Sequence, residues 1–297
     1  MPSQSRRLTF LPCLDSPELS RRRRQELDIP WQNAAALGRS AVEAADKGYY
    51  LDRSGKRVNW GDSIAEACSA KRSIRPEDSL FVSDCERFNE TRIQVTNETT
   101  LFAGQRLTEA GLRPIALNFA NGISAGGGFL AGARAQEEAI CRSSALFHTL
   151  AGDPMYDEHR ARNQADSTDW IIYSPNVPVF RSDDGCELDR PWRLSFLTCA
   201  APYAPDVGQP EAGNLLKKRI YRVLNVARAY KYSALVLGAW GCGAFGNDPH
   251  RTAIDFRDAI ESQVGEAFSD IVFAIADWSP ERRYFGPFRD VFAAGNN

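Results

Sequence analysis

Three short runs, PIALNFA (114–120), SALVLGAW (233–240) and DIVFAIAD (270–277), constrain the fold of this chain most. Each is apolar almost throughout, so each has to be covered on every side, yet each is too short for a buried helix. A strand hidden on both faces reads this way, whereas a strand with one wet face alternates. TRIQVTN (91–97) does alternate, and WIIYSPNVPVF and RLSFLTCAA add two more strand candidates. Helical spacing fills the intervals. ETTLFAGQRLTEAGL stops at Gly111, and QEEAICRSSALFHTL returns to helix. GNLLKKRIYRVLNVARAYKY places Leu215, Leu216, Ile220, Val223, Leu224 and Ala227 on one face, and a further helix is expected over roughly 250–263. Strands alternating with helices predict an α/β fold, a mixed and largely parallel sheet sandwiched between helices. Ligands of such sheets sit beyond the carboxyl ends of the strands.

The first part of the chain has another texture. IPWQNAAALGRSAVEAADKGYY has alanine-rich helical periodicity, and DSIAEACSAK suggests a shorter helix with Asp62 as its cap. Residues 1–88 are therefore expected as a helical N-terminal extension packed on a core of 89–297, and carry no chemistry of their own. RRRR (21–24) reads as a solvated helix face. The formal charge of −2 makes the whole molecule no magnet for polyanions, so any anion site has to be local. Seven cysteines without a CxxC pair, beside three histidines, give no metal site; reduced thiols in a cytoplasm are the expectation. No apolar run approaches the roughly 18 residues of a membrane span, and no apolar stretch follows the N-terminal arginines, so neither span nor secretory leader is expected.

Two loops carry the chemistry. NFANGISAGGGFLAGARAQEEAI (118–140) sets Gly126, Gly127 and Gly128 seven residues before Gln136, Glu137 and Glu138. Glycines without a Cβ let the backbone lie directly on a ligand, and successive amides can form a nest for a phosphate. The acids can hold sugar hydroxyls or move a proton; as first-turn residues they can equally be partners of the helix dipole. Asn118 and Asn121 flank the loop, either bonding ribose hydroxyls or capping local backbone. The second loop is GAWGCGAFGNDP (238–249), where Gly241, Gly243, Ala244 and Gly246 can bring backbone against a pyrophosphate. Phe245 either lies against a ribose or base or tucks into the core, and Asp248 reads as a helix cap. The loop lacks the GK[ST] of a Walker motif. The two loops suggest a diphosphate held between them, with a ribose at the acids. Adjacent glutamates on a helix point about 100° apart. They cannot flank a glycosidic bond from opposite faces, so one acid has to perform both proton transfers while the other fixes the sugar.

These residues resemble the bacterial type of poly(ADP-ribose) glycohydrolase, which carries GGG, six to eight residues, then QEE. NFA, GARAQEE, RSS and GAWGCGAFGNDP look like the same branch, and the resemblance covers roughly residues 90–280. It implies a macrodomain-like fold binding ADP-ribose at the strand ends, with the diphosphate embraced by both glycine loops. It implies Glu138 as catalytic acid and Glu137 as the group orienting the ribose, with Asn121 and Phe245 positioning that sugar and Gln136 securing the loop. The acid needs a raised pKa for this work, through burial or a neighbouring anion. TNETT (96–100), with Thr99, is the segment expected at the adenine. No cofactor is implied, the partners are poly(ADP-ribose) or an ADP-ribosylated protein with ADP-ribose as product, and the enzyme is expected as a free monomer. Removal of mono-ADP-ribose and non-catalytic ADP-ribose binding are the competing readings; a reader would keep both loops without needing Glu138.

Overall fold

The structure, a computed structural model, describes residues 7–79, 88–264 and 266–293. Cys85 and the ends of the expected N-terminal extension lie outside them. The chain opens with β1 (Arg7–Phe10), α1 (Pro17–Leu27), α2 (Trp31–Lys47), the hairpin β2 (Tyr49–Leu51) and β3 (Arg57–Asn59), α3 (Gly61–Ala70) and β4 (Arg72–Ile74). It continues with β5 (Glu90–Thr96), α4 (Thr100–Glu109), β6 (Pro114–Ala120), α5 (Gln136–Ser143), α6 (Leu146–Leu150) and α7 (Pro154–Arg160). Then come β7 (Ile171–Arg181), β8 (Glu187–Ala200), α8 (Ala204–Val207), α9 (Glu211–Ala229), β9 (Ala234–Leu237), α10 (Pro249–Ala259), β10 (Asp270–Ala274) and α11 (Phe285–Val291).

Eight strands form one sheet in the order β1-β5-β10-β9-β6-β8-β7-β4. Pairing is parallel from β1 through β8 and antiparallel at β7 and β4. The mixed sheet between helices expected from the alternation is thus found. Successive strand side chains point to opposite faces, and the apolar runs divide accordingly. Ile115, Leu117, Leu235, Leu237, Ile271 and Phe273 join the core under α9, α10 and α11. Ala116, Val236, Val272 and Ala274 join the opposite core with α2, α3, α4, α5 and α6. Filling both cores from one strand is why these runs are apolar without alternation.

The N-terminal segment departs from the reading of a helical extension. Its β1 and β4 are the two edges of the main sheet, so the chain on both sides of residue 88 builds one layer. Three and four residues are too few to show a period, and only tertiary pairing makes them strands. Asp62 does not cap α3; the cap position is Trp60, and Asp62 sits in the first turn. Within RRRR, Arg21, Arg22 and Arg24 are solvated and pair with Glu18, Glu26 and Asp28. Arg23 is buried instead, with its guanidinium 5.6 Å from the Phe102 ring centre and 3.0 Å from Glu26.

Asn97, just past β5, joins three segments. Its Nδ2 donates to Asp15 Oδ1 at 2.8 Å and to the Asp277 carbonyl at 2.7 Å, and its Oδ1 accepts from the Asp277 amide at 3.1 Å. The Asp277 carboxylate in turn holds the loop after β10. It accepts from the Ser279 amide and hydroxyl at 2.8 and 2.7 Å, and from the Tyr284 and Phe285 amides at 2.8 and 3.1 Å. Burial works to raise the pKa of this group, but those donors outweigh it and hold the carboxyl below its ordinary range. A depressed carboxyl adds stability that is present above its unfolded pKa and lost as pH falls through the folded one. Asp277→Asn is expected to cost about 1–3 kcal/mol near neutrality. In urea titrations across pH, the wild-type advantage should shrink below about pH 4.

Candidate active site

A cleft of about 400 Å³ opens beyond the carboxyl ends of β5, β6, β9 and β10. Glu98, Thr99 and Thr100 form one wall after β5, and Ala239, Trp240, Gly241, Gly243, Ala244 and Phe245 form another after β9. Ile275, Trp278 and Tyr284 follow β10, while Asn121 and the first turn of α5 supply the polar floor.

The position of α5 follows from an unequal pair of strands. β9 pairs with β6 only along Pro114–Ala116, so β6 runs on without that neighbour. Gln136 takes its place: Oε1 accepts from the Phe119 amide at 2.9 Å, while Nε2 donates to the Leu117 carbonyl at 2.7 Å and to Thr100 Oγ1 at 3.0 Å. The helix start is thereby fixed to the sheet, and both following acids turn inward. Glu137 is 2% exposed; its Oε1 accepts from Asn118 Nδ2 at 3.1 Å and its Oε2 from the Asn121 amide at 2.7 Å. Glu138 is 8% exposed, and its Oε1 accepts from the Gly128 amide at 3.0 Å. Among the described residues no donor bonds its Oε2. The first turn of a helix favours negative charge, which adds to these bonds.

The glycine run serves the acids. Gly127 has φ +57°, and a Cβ there would lie 2.3 Å from Glu138 Oε1 and 3.1 Å from Glu137 Oε2. Gly126, at φ +70°, would bring a Cβ within 3.0 Å of the Phe129 ring. The Gly128 amide donates to Glu138, and the Gly127 amide donates to the Ser124 carbonyl at 3.0 Å. Asn118 is fully buried behind Glu137. Asn121 caps the loop, its Oδ1 accepting from the Ile123 and Ser124 amides at 3.0 Å each, and still faces the cleft. The turn is braced from below by His159. The Thr168 amide donates to its Nε2 at 3.0 Å, which leaves the proton on Nδ1 to reach the Gly122 carbonyl at 3.0 Å. Burial lowers the His159 pKa to about 4, so the ring stays neutral.

It is Glu137 whose pKa the structure pushes up, to about 8, chiefly because burial strips water from the carboxylate. Hydrogen bonds from the Asn121 amide and from Asn118 oppose the rise, and Glu138 adds to it.

The second loop presents free backbone. Its turns close through Gly246 N to Gly243 O and Asn247 N to Gly241 O, both 3.0 Å, and Asn247 Nδ2 ties it to the Pro202 carbonyl at 2.9 Å. Gly241, at φ +75°, would otherwise drive a Cβ to 2.8 Å from Ala201 and Asn247. Among the described residues no backbone carbonyl accepts from the amides of Gly243, Ala244 or Phe245. Phe245 packs at the margin of the core, edge-on to Tyr203 at 5.9 Å, and also lines the cleft. Gly246 lies outside the cleft wall and serves the turn at φ +67°. Asp248 caps α10 as expected, accepting from the Arg251 amide at 2.7 Å.

Thr99 lines the cleft but has structural work as well. Its hydroxyl accepts from the Phe102 amide at 3.1 Å, capping α4, and donates to Asp183 Oδ2 at 2.5 Å. Burial raises the Asp183 pKa to about 6. The sequence reading missed Glu98, Asp183, Trp278, Tyr284, Arg134 and Leu27, all on the cleft wall. Glu98 stands inside TNETT and was within reach; Leu27 comes from the segment to which no chemistry was assigned.

Residues 38–182 match the family model described as the catalytic domain of microbial-type PARG. The chain is similar to poly(ADP-ribose) glycohydrolase from Thermomonospora curvata, at 38% identity and a TM-score of 0.81, over 88% of this chain and 99% of that one. The same bacterial enzyme bound to the inhibitor ADP-HPD matches at 39% identity and a TM-score of 0.80, over 87% and 99%. The Deinococcus radiodurans glycohydrolase in complex with ADP-ribose matches at 38% identity and 0.71, over 77% and 96%. Among curated proteins none matches.

Two outcomes test this geometry. A carboxyl raised in the folded state adds stability that is complete below its unfolded pKa and is lost as pH rises through the folded value. Wild-type stability should therefore decline between about pH 4.5 and 8, and Glu137→Gln should flatten that slope in urea titrations. Gly127→Ala should displace Glu138: it combines φ +57° with a methyl 2.3 Å from Oε1. Catalytic turnover should fall at least ten-fold while far-ultraviolet circular dichroism stays native; unchanged turnover would refute the packing argument.

Proposed function

The chain belongs to the family of bacterial poly(ADP-ribose) glycohydrolases, and from that premise we propose how its own residues hydrolyse the ribose–ribose O-glycosidic bonds of poly(ADP-ribose). The activity releases ADP-ribose, and we assign it to the free end of the polymer. The observation carrying this reading is the pair of buried glutamates that meets a wall of unspent backbone amides across one cleft.

In this reading the diphosphate lies on the Gly243, Ala244 and Phe245 amides, a nest that offers donors without a net charge. A volume of about 400 Å³ lies within the range of pockets that hold small ligands. The distal ribose sits between Asn121, Phe245 and the acids. Glu137, held on both oxygens, is rigid and orients the ribose hydroxyls. Glu138 is held through one oxygen, and the other is its working atom. It gives a proton to the leaving ribose oxygen as the anomeric C–O bond breaks. The carboxylate that remains then takes a proton from water as the water oxygen bonds to the anomeric carbon. One acid serves both steps, as the adjacency of the pair requires. The Glu138 carboxylate and the diphosphate stabilise the cationic sugar between those steps. The remote grip on the diphosphate holds the anomeric centre in place for attack. The adenine end falls to the wall of Glu98 and Thr99.

Glu138→Gln should lower the release of ADP-ribose from labelled polymer by about 10²–10⁴-fold. ADP-ribose affinity measured by calorimetry should stay within a few-fold of wild type. Equal product from both proteins would remove Glu138 from catalysis, and a wild-type protein that binds without turnover would make this a reader.

A further inference from the structure

Resting on that reading, we propose that the start of α2 carries an outer subsite for the polymer. In it Trp31 stacks on the adenine of the unit beyond the scissile bond, and Arg39 and Arg134 face that unit's diphosphate. Trp31 is 60% exposed, the most exposed large apolar side chain among the described residues. Its backbone is nevertheless tightly seated. A Cβ on Gly132 would lie 2.2 Å from the Trp31 carbonyl oxygen, and one on Gly38 would lie 2.7 Å from the Phe129 carbonyl oxygen. Helix α2 is thus pressed on the loop that runs from the glycines to the acids, while the indole is left in water. Leu130, 43% exposed, lies in the short 3-10 turn of that same loop, and its carbonyl accepts from Arg39 Nη1 at 3.4 Å.

The charge around the indole is in excess. Arg134 Nη1 donates to Asp28 Oδ1 at 2.9 Å and to the Ile29 carbonyl at 2.7 Å. Arg24 reaches Oδ2 of the same carboxylate at 3.4 Å, so two guanidiniums share one anion. Among the described residues Arg39 has no carboxylate partner. This local surplus of cations belongs to a molecule whose net charge is −2. Arg134 and Leu27 line the cleft itself, so the basic and aromatic rim continues from its mouth. Every further unit of a polymer held in the cleft carries a base and a diphosphate, the groups that such a rim suits. Stacked bases on aromatic side chains with cations beside them are a common way to hold such chains.

The test compares two substrates under wild type, Trp31→Ala and Trp31→Phe. One is long polymer; the other is ADP-ribose joined by the same bond to a bare ribose, with no base or phosphate beyond it. Trp31→Ala should lower kcat/KM on polymer by roughly ten-fold, through KM, as loss of one stacked base predicts. Trp31→Phe should restore most of that loss, and the small substrate should be cleaved equally by all three proteins. Equal losses on both substrates, or no loss on polymer, would overturn the subsite while leaving the cleft chemistry standing. A wild-type protein that cleaves neither substrate would sink the functional reading and the subsite together.

Discussion

Two adjacent carboxylates buried in the first turn of one helix set the terms for everything near them. Charge taken out of water is tolerated only when hydrogen bonds replace what is lost. Here the replacements are Asn118, the Asn121 amide and the Gly128 amide. Each requires a particular backbone path. β6 has to outrun β9, so that Gln136 can fasten the helix to it, and the loop has to turn through left-handed glycines to reach round the acids. A site built this way is stiff because its polar groups are already committed before a ligand arrives. The second oxygen of Glu138 and the amides of Gly243, Ala244 and Phe245 are what remains uncommitted among the described residues.

The same economy of partners separates the two glycine loops. Sequence shows that both can adopt unusual backbone angles, but not what the freed space admits. In the first loop it admits carboxylates of the same chain. In the second, Gly241 closes on Ala201 and Asn247, whereas Gly243 has nothing within 4 Å of an added Cβ. Glycines in both loops thus serve different ends, Gly127 making room for the acids and Gly243 standing open.

Most of the sheet was legible because the apolar runs of β6, β9 and β10 have one physical meaning, and both acid positions were legible because the spacing from glycine to acid is compact. What escaped was whatever depends on distant pairing. β1 and β4 are too short to carry a period, and they become strands only beside β5 and β7. Trp278 and Tyr284 reach the cleft through the turn that Asp277 organises, a carboxylate whose partners lie up to eight residues ahead. Thr99 lines the cleft, but the cap it gives α4 and its bond to Asp183 were not read from TNETT. Arg23 sits in a run of four arginines and alone is buried; with Arg22 it shares the ring of Phe102, a residue no local pattern links to either.

All the groups assigned to bond cleavage come from one stretch, 118–138, whereas the walls that meet the rest of the cleft are drawn from four strand ends and from α1. Chemistry and grip are thus inherited differently. The first travels as a single cassette that tolerates little insertion, because its glycines and acids clasp each other. The second is assembled from scattered loops that can drift one at a time. Descendants of such a chain are free to change what they hold long before they change what they do to it.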